Sequence, residues 1–231
     1  MKRLLVLSGL ALAAIVSMPA LAVPSISATI DLDTVFAGNI PDGAAPWLTA
    51  TFTSEQGSHS GTLTLISNTY GSDFLQGLNS KKSTIGWTFY LSQTITGIDC
   101  TSGTCADNGA AWNAGGFNSG PVPGVFNLAF GWSSGNRFES GDSVVYDLTF
   151  ASALTGDPFV LNESDWLSAA HVQGIIGGCS GWIVSGTGRA QGGTPCTTTF
   201  TEVVPEPAEL GMFGLGLLLT GLFVGLRRRY S

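Results

Sequence analysis

The chain has 231 residues, of which only 11% are charged, and its formal net charge is −7 at pH 7. A sparse, acidic charge content lacks the clustered cations that neutralise phosphates, which excludes nucleic acid as a partner. With two histidines and four cysteines, the chain also has few side chains suited to acid–base chemistry near pH 7 or to binding zinc.

The first 22 residues have the pattern of a secretory signal peptide. Lys2 and Arg3 give a positive start, and Leu4 to Val16 form an apolar core. Ala20-Leu21-Ala22 is a small-x-small cleavage sequence, so the mature chain is expected to begin at Val23. An uncleaved N-terminal anchor is the alternative.

Residues 23–203 are expected to form one exported domain, since their number is within the range of a single domain. Over residues 23–204 there are 14 acidic side chains against four basic ones, a net charge of −10. Such a body is not expected to adhere electrostatically to anionic lipid or to an acidic polysaccharide.

This domain has the alternation of apolar and polar residues that is typical of β-strands with one buried face. The strongest alternation lies in residues 48–53, 62–65, 85–91, 126–132 and 144–150, with weaker segments at 95–99, 183–186 and 197–203. Clusters of Gly, Pro, Asp and Ser separate these segments and indicate turns. The pattern predicts an all-β antiparallel β-sandwich of seven to nine strands, with a jelly roll as the alternative topology. One short helical turn is expected near residues 163–169, with Asn162 as its N-cap.

The four cysteines are predicted to form disulfides, because an even number in an exported chain favours bridges over metal ligands. Three pairings are possible. We favour Cys100 with Cys105 and Cys179 with Cys196, since each of these bridges closes a local loop rich in Gly, Thr and Ser. No CxxC pair or nearby histidine pair accompanies them, so no metal site and no cofactor are predicted.

Catalytic residues are not predicted either, and we expect the protein not to be an enzyme. Residues 131–135 match the G-x-S-x-G pattern of a nucleophile elbow, but a turn and another strand follow instead of the required helix. His59 lies in an expected turn, and His171 is expected to be a structural histidine. A hydrolase that uses His171 is therefore the third functional hypothesis.

Two features suit ligand binding without catalysis. Trp112 is expected in a turn-rich loop, where an exposed indole ring would stack on a sugar. Thr62, Thr64 and residues 197–199 would suit a threonine array for ice, although ordinary strand threonines also face solvent in this way.

The C-terminal segment, residues 204–231, has the physical character of a membrane anchor. Residues 210–226 carry no charge and no proline, and a helix of that length covers about 25 Å, close to the ~30 Å core of a bilayer. Arg227, Arg228 and Arg229 follow and are expected to remain in the cytoplasm. A buried core helix is the alternative. Pro205-Glu206-Pro207 precedes the apolar run and is expected to be a stiff, extended peptide outside the bilayer.

Pro-Glu-Pro, a short Gly- and Leu-rich span and a terminal arginine cluster together resemble the PEP-CTERM sorting signal. The resemblance covers about the last 28 residues. It implies recognition of Pro205, Glu206, Pro207 and Arg227 to Arg229 by an exosortase-like membrane transpeptidase of a Gram-negative bacterium. It also implies that the inner membrane is a transient anchor before release to the cell surface or matrix.

The sequence therefore predicts a non-enzymatic surface or matrix protein of an exopolysaccharide layer. A carbohydrate-binding or ice-binding module is the second hypothesis.

Overall fold

The structure of the protein is a computed structural model, which describes residues 23–77 and 86–197. The chain divides into two compact units, Met1–Cys196 and Thr197–Ser231, and every described strand belongs to the first. The predicted signal peptide, the Pro-Glu-Pro segment and the apolar run 210–226 lie outside the described residues. Within the described part, no helix is long and apolar enough to cross a membrane.

The described residues form thirteen β-strands and no α-helix. The strands are β1 (Ser25–Leu32), β2 (Thr34–Gly38), β3 (Leu48–Glu55), β4 (Ser60–Ser67), β5 (Phe74–Leu75), β6 (Trp87–Phe89), β7 (Ile95–Gly103), β8 (Ala110–Ser119), β9 (Val122–Phe130), β10 (Phe138–Glu139), β11 (Ser143–Phe150), β12 (Trp166–Ile175) and β13 (Cys179–Gly186).

These strands build two antiparallel sheets. One sheet has five strands in the order β1-β3-β4-β11-β7. The other has eight: β10-β5-β12-β6-β9-β8 form a path, β13 pairs with β12, and β2 pairs with β13. All pairings between named strands are antiparallel. The all-β antiparallel prediction is thus confirmed, and the arrangement is consistent with a β-sandwich.

The main core is made by the apolar residues that alternate along the strands. In β3 the side chains of Leu48, Ala50 and Phe52 are buried. On the adjacent strand β4, Leu63 and Leu65 are fully buried. Aromatic rings fill the centre, where Trp132 stacks on Phe138 with 4.8 Å between ring centroids. Burial of such rings removes about 150–250 Å² each from water. The burial of these rings explains why the alternating segments form a stable pair of sheets.

A second cluster of buried residues lies apart from the main core and involves strands of the eight-stranded sheet. Its members include Phe36, Phe126 and Trp166, with Phe36 and Trp166 packed edge to face at 5.8 Å. The five-stranded sheet has a different character, because the residues between its core positions are partly or fully exposed and mostly polar.

Two local predictions were wrong. The strand number was underestimated, and the helical turn near residues 163–169 does not form, because β12 begins at Trp166. Asn162 does act as a cap, but of a tight turn: its Oδ1 accepts the N–H groups of Ser164 at 2.9 Å and Trp166 at 3.0 Å. Asp165 takes a positive φ of 66° in that turn, a conformation that short polar residues tolerate best.

Candidate functional site

The outer side of the five-stranded sheet presents hydroxyl and carboxylate groups in cross-strand rows. We call this surface the polar face; its members are Ser27, Thr29, Thr51, Thr53, Thr62, Thr64, Asp99, Asp147 and Thr149. Thr29 lies opposite Thr51, which lies opposite Thr64. In the adjoining row, Ser27, Thr53, Thr62, Asp147 and Asp99 follow one another across all five strands. Neighbouring strands are about 4.8 Å apart, which sets the spacing of these groups.

The register explains why these groups share one side. In an antiparallel pair, residues directly opposite each other point to the same side of the sheet. Because β1, β3 and β4 pair without an irregularity, every second residue of each strand enters the core while the threonines between them face outward. A one-residue slip would bury the threonines and expose the core.

A shallow groove of about 790 Å³ runs over one end of the polar face. Hydroxyl groups of Ser58, Ser60 and Thr62 line it together with the carboxylates of Glu55, Asp99 and Asp147. Thr62 Oγ1 donates a hydrogen bond to Asp147 Oδ1 at 3.1 Å, which fixes one carboxylate. Asp99 is directly opposite Asp147 and is exposed.

The groove therefore offers a ligand hydrogen-bond acceptors together with hydroxyl groups that both donate and accept hydrogen bonds. Carboxylates are strong acceptors of hydrogen bonds from hydroxyl groups, and serine and threonine both donate and accept. Like charges directly opposite each other on a sheet are destabilising, and Asp99 and Asp147 face each other in this way. This chemistry fits a polyhydroxylated molecule.

Trp112 is placed differently from its prediction. It lies within β8 opposite Leu128, not in a turn, and is half-buried against the main core. Its Nε1 is buried with no hydrogen-bond acceptor. Part of the residue lines a second groove, of about 310 Å³, beside Ile95 and Ile98 of β7.

The residues considered for hydrolysis do not form a nucleophile–base pair in the described chain. Ser133 follows β9 and donates its hydroxyl to Asp107 Oδ2 at 2.6 Å, while its N–H donates to Asp107 Oδ1 at 2.8 Å. Both hydrogen bonds lower the pKa of Asp107, and the bond from the hydroxyl has the larger effect. The hydroxyl is thus bonded to a carboxylate and not to a histidine.

His171 also lacks the features of a general base. Its ring stacks on Trp182 with 4.5 Å between centroids, and its Nδ1 is buried without a hydrogen-bond partner. Burial lowers the pKa of His171, which favours the neutral ring. A catalytic histidine needs a partner that orients the ring, and no described residue bonds to its Nδ1. His59 has Nδ1 at 3.3 Å from the Phe150 carbonyl oxygen and is exposed in its turn.

The cysteines are paired as the loop argument favours. Cys100 and Cys105 are at disulfide distance with Cα atoms 6.0 Å apart, and so are Cys179 and Cys196 with Cα atoms 6.1 Å apart. The first bridge lies at the end of β7, and the second fixes the chain after β13 to the start of that strand. Both pairs pack partly against the main core, through Cys100, Cys179 and Cys196.

One further pair of acidic residues comes together only in the fold. Asp42 and Asp73, which are 31 positions apart, meet where three loops come together, and the N–H of Asp42 donates to Asp73 Oδ2 at 2.8 Å. Among the described residues, no group of three or more His, Cys, Asp or Glu side chains is arranged to hold a metal ion. The Asp42–Asp73 contact involves only two, and spacing along the chain does not reveal it.

The remaining predicted site residues, Ala20 and Ala22 of the cleavage sequence and Pro205 to Pro207 with Arg227 to Arg229 of the tail, lie outside the described residues. In comparisons with known protein families, curated proteins and solved structures, nothing matches this chain.

Proposed function

We propose that this is an exported, non-enzymatic protein of the cell surface or extracellular matrix, sorted through its PEP-CTERM-like tail by an exosortase-like transpeptidase. The observation that carries the proposal is the pair of local disulfides in residues 100–105 and 179–196. Disulfides persist in oxidising compartments, in keeping with the signal-peptide pattern before the domain and the anchor pattern after it.

The chemistry of the tail suggests how sorting proceeds. The apolar run 210–226 holds the chain in the inner membrane, and the three arginines keep its end in the cytoplasm. Pro205 and Pro207 keep the peptide between body and membrane extended, which suits the active site of a processing enzyme. Cleavage near this peptide would release the β-sandwich body to the surface.

Mass spectrometry of the native protein tests this proposal. We expect a mature chain that begins at Val23 and, in cells with exosortase, ends near Pro207. Replacement of Pro205 and Pro207 by alanine should leave the chain uncut and membrane-bound, whereas Pro195→Ala, an exposed proline of the body, should not affect processing. A wild-type chain that still contains Arg229 in exosortase-containing cells would contradict the proposal.

A second candidate function is carbohydrate binding in an exopolysaccharide layer, favoured by the groove on the polar face. Its hydroxyls and the Asp99–Asp147 pair suit a polyhydroxylated ligand. An ice-binding face is less well supported, because the threonine rows are short: Val145 follows Thr64 in one row and Asp147 follows Thr62 in the other.

A glycan array with the purified protein tests this second function and locates the site. If the groove binds, the double change Asp99→Asn and Asp147→Asn should weaken binding at least about tenfold, since charged hydrogen bonds contribute about 1.5–3 kcal/mol each. Asp33→Asn, at an exposed position between β1 and β2, is the control for removal of an acidic charge outside the groove. Loss of binding on Trp112→Ala alone would place the ligand in the second groove. An array without any signal would remove the carbohydrate-binding function.

A further inference from the structure

Asp73 is a fully buried carboxyl group with one oxygen that no hydrogen bond satisfies. It lies between β4 and β5 with 0% of its surface exposed. Its Oδ2 accepts the N–H of Asp42, but its Oδ1 is buried and no described residue donates to it. Buried charged oxygens are normally paired or bound to metal, so the packing of this loop does not by itself account for Asp73.

A second carboxyl group adjoins it. Asp42 lies in the loop between β2 and β3, and the hydrogen bond from its backbone N–H to Asp73 Oδ2 places the two residues side by side. Asp42 Oδ2 accepts the N–H of Ile176 at 3.1 Å, from the turn between β12 and β13. The two carboxyl groups therefore join three chain segments: the β2–β3 loop, the β4–β5 loop and the β12–β13 turn.

The charged groups around this pair do not neutralise it. The adjoining turn contributes Glu139 and Asp142, which are acidic, and is attached to the β4–β5 loop by a hydrogen bond from Ser140 Oγ to the Thr69 carbonyl oxygen at 2.5 Å. Arg137 lies with its guanidinium 4.0 Å above the centre of the Phe74 ring and makes no hydrogen bond through Nε. No donor from this neighbourhood reaches Asp73 Oδ1.

A positive species between these two carboxyl groups would satisfy the unpaired oxygen of Asp73. Oxygen-only donors of this kind favour calcium over zinc, which prefers nitrogen and sulfur ligands.

We propose that Asp42 and Asp73 bind a divalent cation of the calcium type, which holds the β2–β3 loop, the β4–β5 loop and the β12–β13 turn together. Bound there, the cation fixes an exposed end of the domain at which Tyr70 and Ile176 are 69% and 55% exposed. The site is independent of the sorting tail and of the polar face, so it stands or falls separately from the proposed function.

Terbium luminescence tests the site directly, because Tb³⁺ replaces Ca²⁺ and is excited through nearby indole rings. Trp47 donates its ring N–H to the Gly43 carbonyl oxygen at 3.3 Å, one residue from Asp42, which provides the sensitiser. The full-length protein in detergent, treated with EDTA and brought to about pH 8, where protons compete less with metal ions for carboxylate ligands, is titrated with Tb³⁺. We expect saturable luminescence with one ion per chain, displaced by Ca²⁺.

Variants decide whether the signal belongs to this site. Asp73→Asn should weaken Tb³⁺ binding at least tenfold, and Asp42→Asn should do the same through the other ligand. Asp107→Asn, which alters an exposed carboxylate in a different loop, should leave it unchanged. Circular dichroism verifies that each variant is folded. Absence of saturable luminescence in the wild-type protein, or equal affinity in wild type and a folded Asp73→Asn variant, would overturn the proposal.

Discussion

Asn127 shows how single buried polar residues hold this fold together. It is 9% exposed, and its Oδ1 accepts the N–H of Leu91 at 2.8 Å while its Nδ2 donates to the Leu91 carbonyl oxygen at 2.7 Å. One side chain thus replaces both backbone partners of a residue just beyond the end of β6. A buried backbone group that loses its partner costs about 1–3 kcal/mol.

Asn127→Ala is accordingly expected to lower the free energy of unfolding by about 2–4 kcal/mol, since both polar groups of Leu91 would be left unpaired. Urea denaturation followed by tryptophan fluorescence measures the change. Asn118→Ala removes an exposed amide from the neighbouring strand β8 and should change stability by less than about 0.5 kcal/mol. A loss below about 1 kcal/mol for Asn127→Ala would show that water replaces its hydrogen bonds.

Asp73 gives stability a pH dependence with a definite sign. Its ordinary pKa is 3.8, and burial raises the pKa to about 7 in the folded chain. Between these values the folded state holds a proton that the unfolded state has lost, so stability falls as pH rises from about 4 to about 7 and is level above it. At about 1.4 kcal/mol per pKa unit, the loss attributable to Asp73 is at most about 4 kcal/mol.

Urea unfolding over this pH range in EDTA, for wild type and Asp73→Asn, tests that effect. The variant cannot ionise at this position. Its free energy of unfolding should therefore increase relative to that of the wild type as the pH rises to 7. Comparison of the two proteins cancels the contributions of the other titrating groups. Parallel pH curves for the two proteins would contradict the prediction.

At the level of strands, the sequence predicts best those strands that have one buried face and one solvent-exposed face. In β3, β4 and β11 buried residues alternate with more exposed ones over most of each strand, and the predicted segments 48–53, 62–65 and 144–150 lie within these strands. β12 was missed because both of its faces are buried: Ser168, Ala169 and Ala170 are each 0% exposed. A strand covered on both sides has no alternation to detect.

The candidate sites depend on information that local patterns lack. Outward-facing threonines were visible in β4, but the rows across β1, β3 and β11 depend on strand register, and register follows from long-range pairing. Asp42 and Asp73 belong to different loops, and only the fold brings them together. Trp112 was misplaced because Asn108, Gly109 and Asn113 around it indicate a turn, although Trp112 and Asn113 lie in β8, whose pairing with β9 is irregular between Trp112 and Phe117.

The two disulfides are expected to stabilise the fold unequally. Cys100 and Cys105 are 5 positions apart and Cys179 and Cys196 are 17 apart. A bridge stabilises mainly by restricting the unfolded chain, so these loops correspond to about 2 and about 3 kcal/mol respectively. Urea unfolding of the variants Cys100→Ser/Cys105→Ser and Cys179→Ser/Cys196→Ser measures the difference. A larger loss for the first pair would show that native-state packing, and not loop closure, dominates.

For the molecule as a whole, net charge and surface chemistry restrict the kind of polysaccharide that it would bind. Residues 23–204 carry 14 acidic and four basic side chains, while the groove on the polar face offers neutral hydroxyls beside the carboxylates of Glu55, Asp99 and Asp147. Long-range electrostatics therefore repel an anionic polysaccharide, and short-range hydrogen bonds suit a neutral one. The proposed carbohydrate function thus predicts a preference among glycans as well as binding.

The preference for neutral over anionic glycans can be recognised by its dependence on salt concentration. Between about 0.01 M and about 1 M NaCl the Debye length shrinks from about 30 Å to about 3 Å, so salt removes repulsion but leaves direct hydrogen bonds in place. On a glycan array we expect neutral glycans to bind with little change over this range, and anionic glycans to bind only as the salt concentration rises. The Asp99→Asn/Asp147→Asn variant should bind neutral glycans more weakly and exclude anionic ones less at low salt, because it removes two ligand groups together with two negative charges. Anionic glycans that bind most tightly at low salt would contradict this account and point to attraction by the few basic side chains.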